Sequence, residues 1–216
     1  MVSWGDYVAG VELLLIRHGL PVRRELRAGI ADPELSVAGH QQAKFLAEYL
    51  SSEKINALYS SPQRRALQTA EPIAVDKGLP ITVVDDVAEW DRNASFYIPT
   101  EELKAANDPR WQAMLRGEWT AEDDTVEGFR ARVVTALEAL IAVHQGERIA
   151  VLSHGGVINA YLAHVLGLPI SKGFFYPNYT SIHRVMASQR GHRALITLNE
   201  TTHLRGTGLP IGLLQS

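Results

Sequence analysis

Hydrophobic positions in this chain fall into short unbroken runs that alternate with longer stretches of helical period. Five of the six residues from Val11 to Ile16 are apolar, which predicts a strand buried on both faces of the kind found inside a parallel sheet. From Ser36, a good helix N-cap, an apolar stripe through Val37, Ala38, Gln41, Ala43, Phe45, Leu46, Tyr49 and Leu50 predicts a helix ending near Ser51. Ile55–Ser60 reads as a short strand, followed by a helix with Pro62 in its first turn. Ile81–Val84 reads as a third strand. Residues 100–117 look helical but are interrupted at Asp108-Pro109, which predicts two short pieces. Thr125–His144 is the longest amphipathic stretch and is closed by Gly146. Arg148–Leu152 is again a buried strand, with a helix start after it. Ser181–Ala187 and Ala194–Leu198 read as two closing strands joined through Gly191.

This alternation predicts an α/β fold with a mostly parallel sheet, and a length of 216 residues suits one domain over 1–216. Residues 1–10 read as a short extension, and the segment around 90–120 as a helical lid or specificity insertion. At 46% hydrophobic residues the chain can bury a substantial core. The formal net charge of −3 gives no footprint for nucleic acid or an anionic membrane, so a small-molecule partner is expected. Without a signal-peptide pattern or an apolar run near ~18 residues, a cytoplasmic location is the expectation. A homodimer is left open.

Three strands deliver chemistry to their carboxyl ends, where open α/β sheets bind ligands. The first ends in Arg17-His18-Gly19, the second runs into Ser61-Pro62-Gln63-Arg64-Arg65, and the fourth ends in Ser153-His154-Gly155-Gly156. Two guanidiniums and two imidazoles in one crevice make a receptor for a dianion, because arginine's planar fork matches phosphate oxygens. A neutral imidazole adds a nucleophile for phosphorus. A leaving alkoxide needs a proton, for which a carboxylic acid with a raised pKa is suited; Glu89, beyond the third strand, is the candidate.

Other phosphate chemistries find no support in the residues. The chain has no cysteine for a thiol phosphatase, and no Gly-x-x-x-x-Gly-Lys-Ser/Thr loop. Its eight histidines form no His-Glu-x-x-His pair, so neither metal nor cofactor is expected. Ser153 lacks the full Gly-x-Ser-x-Gly elbow of a serine hydrolase. Arg64 reads as a solvated helix residue, and Arg23, Arg24 and Arg27 either as a solvated loop or as readers of an anionic substrate. His40, His144, His164, His183, His192 and His203 are assigned to surface or core. Trp90, Phe96, Tyr97 and Trp111 either line a pocket or pack a lid.

The ordered motifs resemble the histidine phosphatase superfamily, which includes the cofactor-dependent phosphoglycerate mutases. They are Leu14-Leu15-Ile16-Arg17-His18-Gly19, Asp32-Pro33-Glu34-Leu35-Ser36, Ser60-Ser61-Pro62 with Arg65 and Gln68-Thr69-Ala70, Leu152-Ser153-His154-Gly155-Gly156, and the closing segments Asn178–Ile182 and Leu198–Leu204. The resemblance implies a three-layer α/β/α fold and a metal-independent phosphatase acting on a small phosphorylated metabolite. It also implies His18 as the phosphoryl-accepting nucleophile, Arg17, Arg65 and His154 as phosphate holders, and Glu89 as proton donor, with Asp91 its rival. The sequence departs from the family at Leu20, Pro21 and Arg24, where Glu-Thr and then Asn are common, and in Glu89-Trp90-Asp91-Arg92-Asn93-Ala94. These departures favour a phosphatase with its own substrate over a mutase, and leave a non-catalytic phospho-ligand binder as a third reading.

Overall fold

The computed structural model describes residues 10–116, 124–169 and 173–213; the extension read at 1–10 lies, but for Gly10, outside them. Eight strands and six helices are named here in chain order. They are β1 Val11–Arg17, β2 Arg24–Glu25, α1 Val37–Leu50, β3 Ala57–Ser60, α2 Arg64–Lys77, β4 Ile81–Val83, β5 Phe96–Tyr97, α3 Thr100–Ala105, α4 Pro109–Arg116, α5 Val126–Val143, β6 Arg148–Ser153, α6 Gly155–Val165, β7 Ile182–Ala187 and β8 Arg193–Glu200.

Six strands form one sheet in the order β4-β3-β6-β1-β7-β8. Its first four strands are parallel, and β7 and β8 close it in antiparallel fashion. Strand β1 is buried on both faces, as its unbroken apolar run requires. Leu13 and Leu15 face a core completed by Phe129, Val133 and Leu137 of α5 and Ile158 and Leu162 of α6. Leu14 and Ile16 face the opposite core, with Leu46 and Leu50 of α1 and Ala66, Ala70 and Ile73 of α2. The fold is therefore three-layered, α/β/α, with the period-two alternation of β1 splitting its side chains between two cores.

Two features differ from the reading of the sequence. Helix α2 starts at Arg64 with Gln63 as its N-cap, so Pro62 precedes the helix instead of opening it. The arginine-rich stretch after Gly19 is not wholly irregular: Arg24–Glu25 pairs antiparallel with Phe96–Tyr97 in a separate two-stranded sheet. Two residues carry no periodicity, so this pairing left no local signal. The interruption at Asp108-Pro109 separates α3 from α4 as predicted.

The strand order decides where the chemistry goes. Strands β3, β6 and β1 are consecutive neighbours, so the ends read separately in sequence lie side by side. Backbone hydrogen bonds continue past the strands: His18 N–H donates to Ser153 O at 3.0 Å, and Ser61 N–H to Leu152 O at 3.0 Å. The loop after Gly19 is pressed against α1, where a Cβ at Gly39 would overlap the Leu20 carbonyl oxygen. Only a glycine permits that approach.

Candidate active site

His18 is 2% exposed, and its Nδ1 lies 2.7 Å from the Gly19 carbonyl oxygen. A carbonyl only accepts, so Nδ1 carries the proton and the Nε2 lone pair is left free. Burial, then the charges of Arg65 and Arg17, hold the ring's pKa well below its ordinary value, so it is neutral near pH 7. Gly19 N–H donates to Thr69 Oγ1 at 3.0 Å, and that hydroxyl donates to Arg65 O at 2.6 Å. Thr69 thereby ties the histidine's loop to α2.

Three cationic or imidazole groups surround this ring. Arg17 donates through Nη1 to Pro177 O at 2.6 Å and lies over the rings of Tyr179 and Tyr176, at 4.3 and 5.0 Å. His154 has its ring centroid 5.1 Å from that of His18, and its Nε2 lies 2.7 Å from Ser61 Oγ. It is the N-cap of α6 but makes no side-chain capping bond, which leaves the imidazole to the site. Burial, followed by Arg65, holds its pKa well below the ordinary value. Arg65 is fully buried and donates through Nη2 to both Asp91 carboxylate oxygens, at 2.7 and 3.0 Å. The remaining buried donors, Arg17 Nε and Arg65 Nε and Nη1, have no acceptor among the described residues, and His154 Nδ1 has no partner there. Such orphaned donors in a dry site suit an anion's oxygens.

The two rival carboxylates have different environments. Asp91 is the counter-ion of Arg65. Glu89 lies against the N-terminus of α6, where Oε2 accepts from Gly156 N–H at 2.7 Å and Oε1 from Trp90 N–H at 3.1 Å. Burial and then the Asp91 charge raise its pKa, against the lowering effects of these amides and of Arg65. Gly156 is required for this seat, since a Cβ there would overlap the Glu89 carboxylate and come within 2.8 Å of the Trp90 ring. One side chain aligns both acids: buried Gln63 accepts from Glu89 N–H at 2.8 Å and donates to Asp91 Oδ1 at 2.9 Å.

The sequence profile of the histidine phosphatase superfamily (branch 1) matches residues 13–201. The chain belongs to this superfamily. It is 31% identical over 201 residues to phosphoserine phosphatase 1 of Hydrogenobacter thermophilus, an alignment covering 90% of this chain and 94% of that protein. It is 36% identical over 162 residues to phosphoglycerate mutase-like protein 4 of Arabidopsis thaliana, covering 69% of this chain and 68% of the relative. The crystal structure of a histidine-to-alanine variant of Entamoeba histolytica phosphoserine phosphatase, in complex with phosphoserine, is similar in fold. That match has a TM-score of 0.71 and 26% identity, and covers 90% of this chain and 99% of that one.

In this histidine phosphatase superfamily member, Arg17, His18, Arg65, His154 and Glu89 come together at one end of the sheet. Arg64 instead faces outward and pairs with Glu34 at 2.9 Å. Arg23 pairs with Glu25 and Glu102, and Arg24 with Glu34, which leaves these arginines bound to surface carboxylates; Arg27 is exposed. Trp90 stacks on Phe129 at 3.9 Å and belongs to the core. Tyr97 lines the site, with Arg65 over its ring at 4.7 Å and the His18 ring 6.5 Å away. Gln63, Thr69, Tyr176 and Tyr179 escaped the reading of the sequence. Gln63 looked like any polar residue at a helix start, and the tyrosines like ordinary core aromatics. His183 is buried and bonded to Ser181, and His203 is partly buried and bonded to Thr180. Among the described residues, no three His, Asp or Glu side chains form a group able to hold a metal ion, and no helix is long and apolar enough to cross a membrane.

Proposed function

We propose that the chain hydrolyses a phosphomonoester through a phosphohistidine at His18. The observation that carries this reading is the 2.7 Å contact between His18 Nδ1 and Gly19 O, which leaves Nε2 as the lone pair, set among guanidinium donors that lack acceptors among the described residues. In the first step Nε2 attacks phosphorus as the ester P–O bond breaks, and protonated Glu89 gives its proton to the leaving oxygen. Arg17, Arg65 and His154 hold the equatorial oxygens and offset their charge. In the second step water attacks the phosphohistidine, Glu89 takes the water's proton, and the P–N bond breaks. Phosphate departs and the His18 lone pair is restored. No step draws on a metal, since the guanidiniums supply the positive charge.

The test is phosphate release from p-nitrophenyl phosphate and a phospho-metabolite panel in EDTA, with His18→Ala as control. Activity that vanishes on chelation, or survives in His18→Ala, refutes the mechanism. The 90–120 segment, whose described part runs from the Trp90–Asn93 turn through β5, α3 and α4, serves as a lid: its Tyr97 lies 6.5 Å from the ring of a nucleophile that is almost fully buried. A cytoplasmic location belongs to the same proposal and is read by cell fractionation.

The similarity to a phosphoglycerate mutase-like protein favours a second reading, transfer between hydroxyls of phosphoglycerate. With 2,3-bisphosphoglycerate and 3-phosphoglycerate supplied, that reading requires 2-phosphoglycerate to form much faster than free phosphate.

A further inference from the structure

Helix α3 begins three residues after Tyr97, through buried Ile98 and the N-cap Pro99, so its first turn is held close to the site. It carries two adjacent glutamates with opposite fates. Glu102 faces outward, is 46% exposed, and pairs with Arg23 at 3.5 Å. Glu101 faces inward: both of its carboxylate oxygens are buried, and neither has a hydrogen-bond donor among the described residues. Burial, then Tyr97, Tyr176 and the charge of Glu101, push the Tyr179 hydroxyl well above its ordinary pKa, against the opposing Arg17. Tyr179 in turn lies 6.1 Å from the His18 ring and 4.3 Å beneath the Arg17 guanidinium.

A buried carboxylate with no donor is costly in itself. Beside a phosphate site it is doubly so, because it repels the anion that the arginines are built to attract. A substrate that brings its own cation removes both penalties, and one without a cation suffers both. We propose that Glu101 is the receptor for a primary ammonium group on the substrate, so that the substrate class is a short phosphomonoester carrying an amine. This rests on the phosphatase reading for turnover, but the recognition itself concerns binding.

O-phospho-L-serine and 3-phospho-L-glycerate share one configuration and differ only in ammonium against hydroxyl, and form the required pair of probes. The kcat/KM values of wild type and Glu101→Gln are compared for both and for p-nitrophenyl phosphate. A charged hydrogen bond lost from a buried site predicts that O-phosphoserine loses about 10–100-fold more than either of the other two. An equal loss on all three esters, or no loss on any, overturns the proposal. If the wild type releases phosphate from none of them, the phosphatase reading fails. Calorimetry on His18→Ala and on the His18→Ala/Glu101→Gln double variant then decides the recognition separately. Selective weakening of O-phosphoserine binding by the second substitution upholds it, and its absence overturns it.

Discussion

Replacing Glu89 by Gln removes the proposed proton donor but keeps one oxygen to accept from the Gly156 amide at the α6 N-terminus, giving up only the longer contact from Trp90 N–H. The loss should depend on the leaving group. For an alkyl phosphate, whose alkoxide must be protonated, general acid catalysis is worth on the order of 10²–10⁴ in rate, roughly 3–5 kcal/mol of barrier. For p-nitrophenyl phosphate, whose phenolate leaves unaided, the loss should be far smaller. Asp91→Asn should behave otherwise. Asp91 holds the fully buried Arg65 through contacts of 2.7 and 3.0 Å, so its neutralisation removes charged hydrogen bonds worth about 1.5–3 kcal/mol from the group proposed to hold the phosphate of every substrate. Both esters should then slow by a similar factor, roughly 10–100-fold. The pH profile adds a sign. Burial raises the Glu89 pKa, so the acid is protonated below that raised value, and the alkyl phosphatase kcat should fall as pH rises through it. That alkaline fall should be missing in Glu89→Gln. Steady-state rates for both esters across pH 5–9 check all of this. If Glu89→Gln slows both esters equally while Asp91→Asn shows the leaving-group dependence, the donor is Asp91 and the assignment made here is wrong.

Three further outcomes follow from the same geometry. Gly156→Ala forces a methyl into the Glu89 carboxylate and toward Trp90, so alkyl phosphatase activity should fall more than p-nitrophenyl phosphatase activity; an unaltered ratio of the two rates would show that Glu89 does not act from this seat. Gln63→Leu removes both bonds that align Glu89 and Asp91, and should lower kcat for alkyl phosphates about 10-fold or more with a smaller change in thermal midpoint than a core cavity would give; a full-rate variant would rule out the alignment. Acid stability should follow the buried histidines. His183 is held down to about 3 and His203 to about 4, first by burial, and His18 and His154 are also depressed. Their contribution is present above the unfolded-state value near 6.5 and is lost as pH falls, since the unfolded chain takes up protons that the folded one refuses. For His183 alone the full span is worth roughly 5 kcal/mol at most. Urea unfolding should therefore weaken steadily from pH 6.5 to 5, before the carboxylates titrate; a flat midpoint over that range would contradict the assignment.

The parts of this protein that were legible in sequence are those that one strand or one helix specifies by itself. The β1 run is readable because each of its apolar side chains from Val11 to Ile16 meets a core, and His18 is readable because a polar pair ends that run abruptly. The same holds for β6 and His154. That β3, β6 and β1 are neighbours is a property of the sheet order, and no periodicity within a strand encodes it; the family motifs supplied it instead. Pairings of two residues, such as Arg24–Glu25 with Phe96–Tyr97, are too short for any pattern to mark. Nor does a sequence say which of two adjacent glutamates turns inward, since the answer lies in how α3 leaves Tyr97.

The least legible residues are also the ones that set the charge balance of the site. Two arginines face the proposed nucleophile, which must remain neutral, and the proposed acid, which must remain protonated, sits within the field of one of them. Left to charge alone, Arg65 would pull the proton from Glu89. Asp91 answers most of that field by binding Arg65 directly, and its own charge then adds to burial in raising Glu89. Gln63 makes the two effects act together, since it holds Asp91 by its amide and the Glu89 backbone by its carbonyl. The proposed donor thus depends on a counter-ion that the motifs offered only as a rival acid and on a helix cap that they did not single out. A chain keeping Arg17, His18, Arg65, His154 and Asp91 but lacking Gln63 should bind phosphate yet turn over alkyl esters slowly.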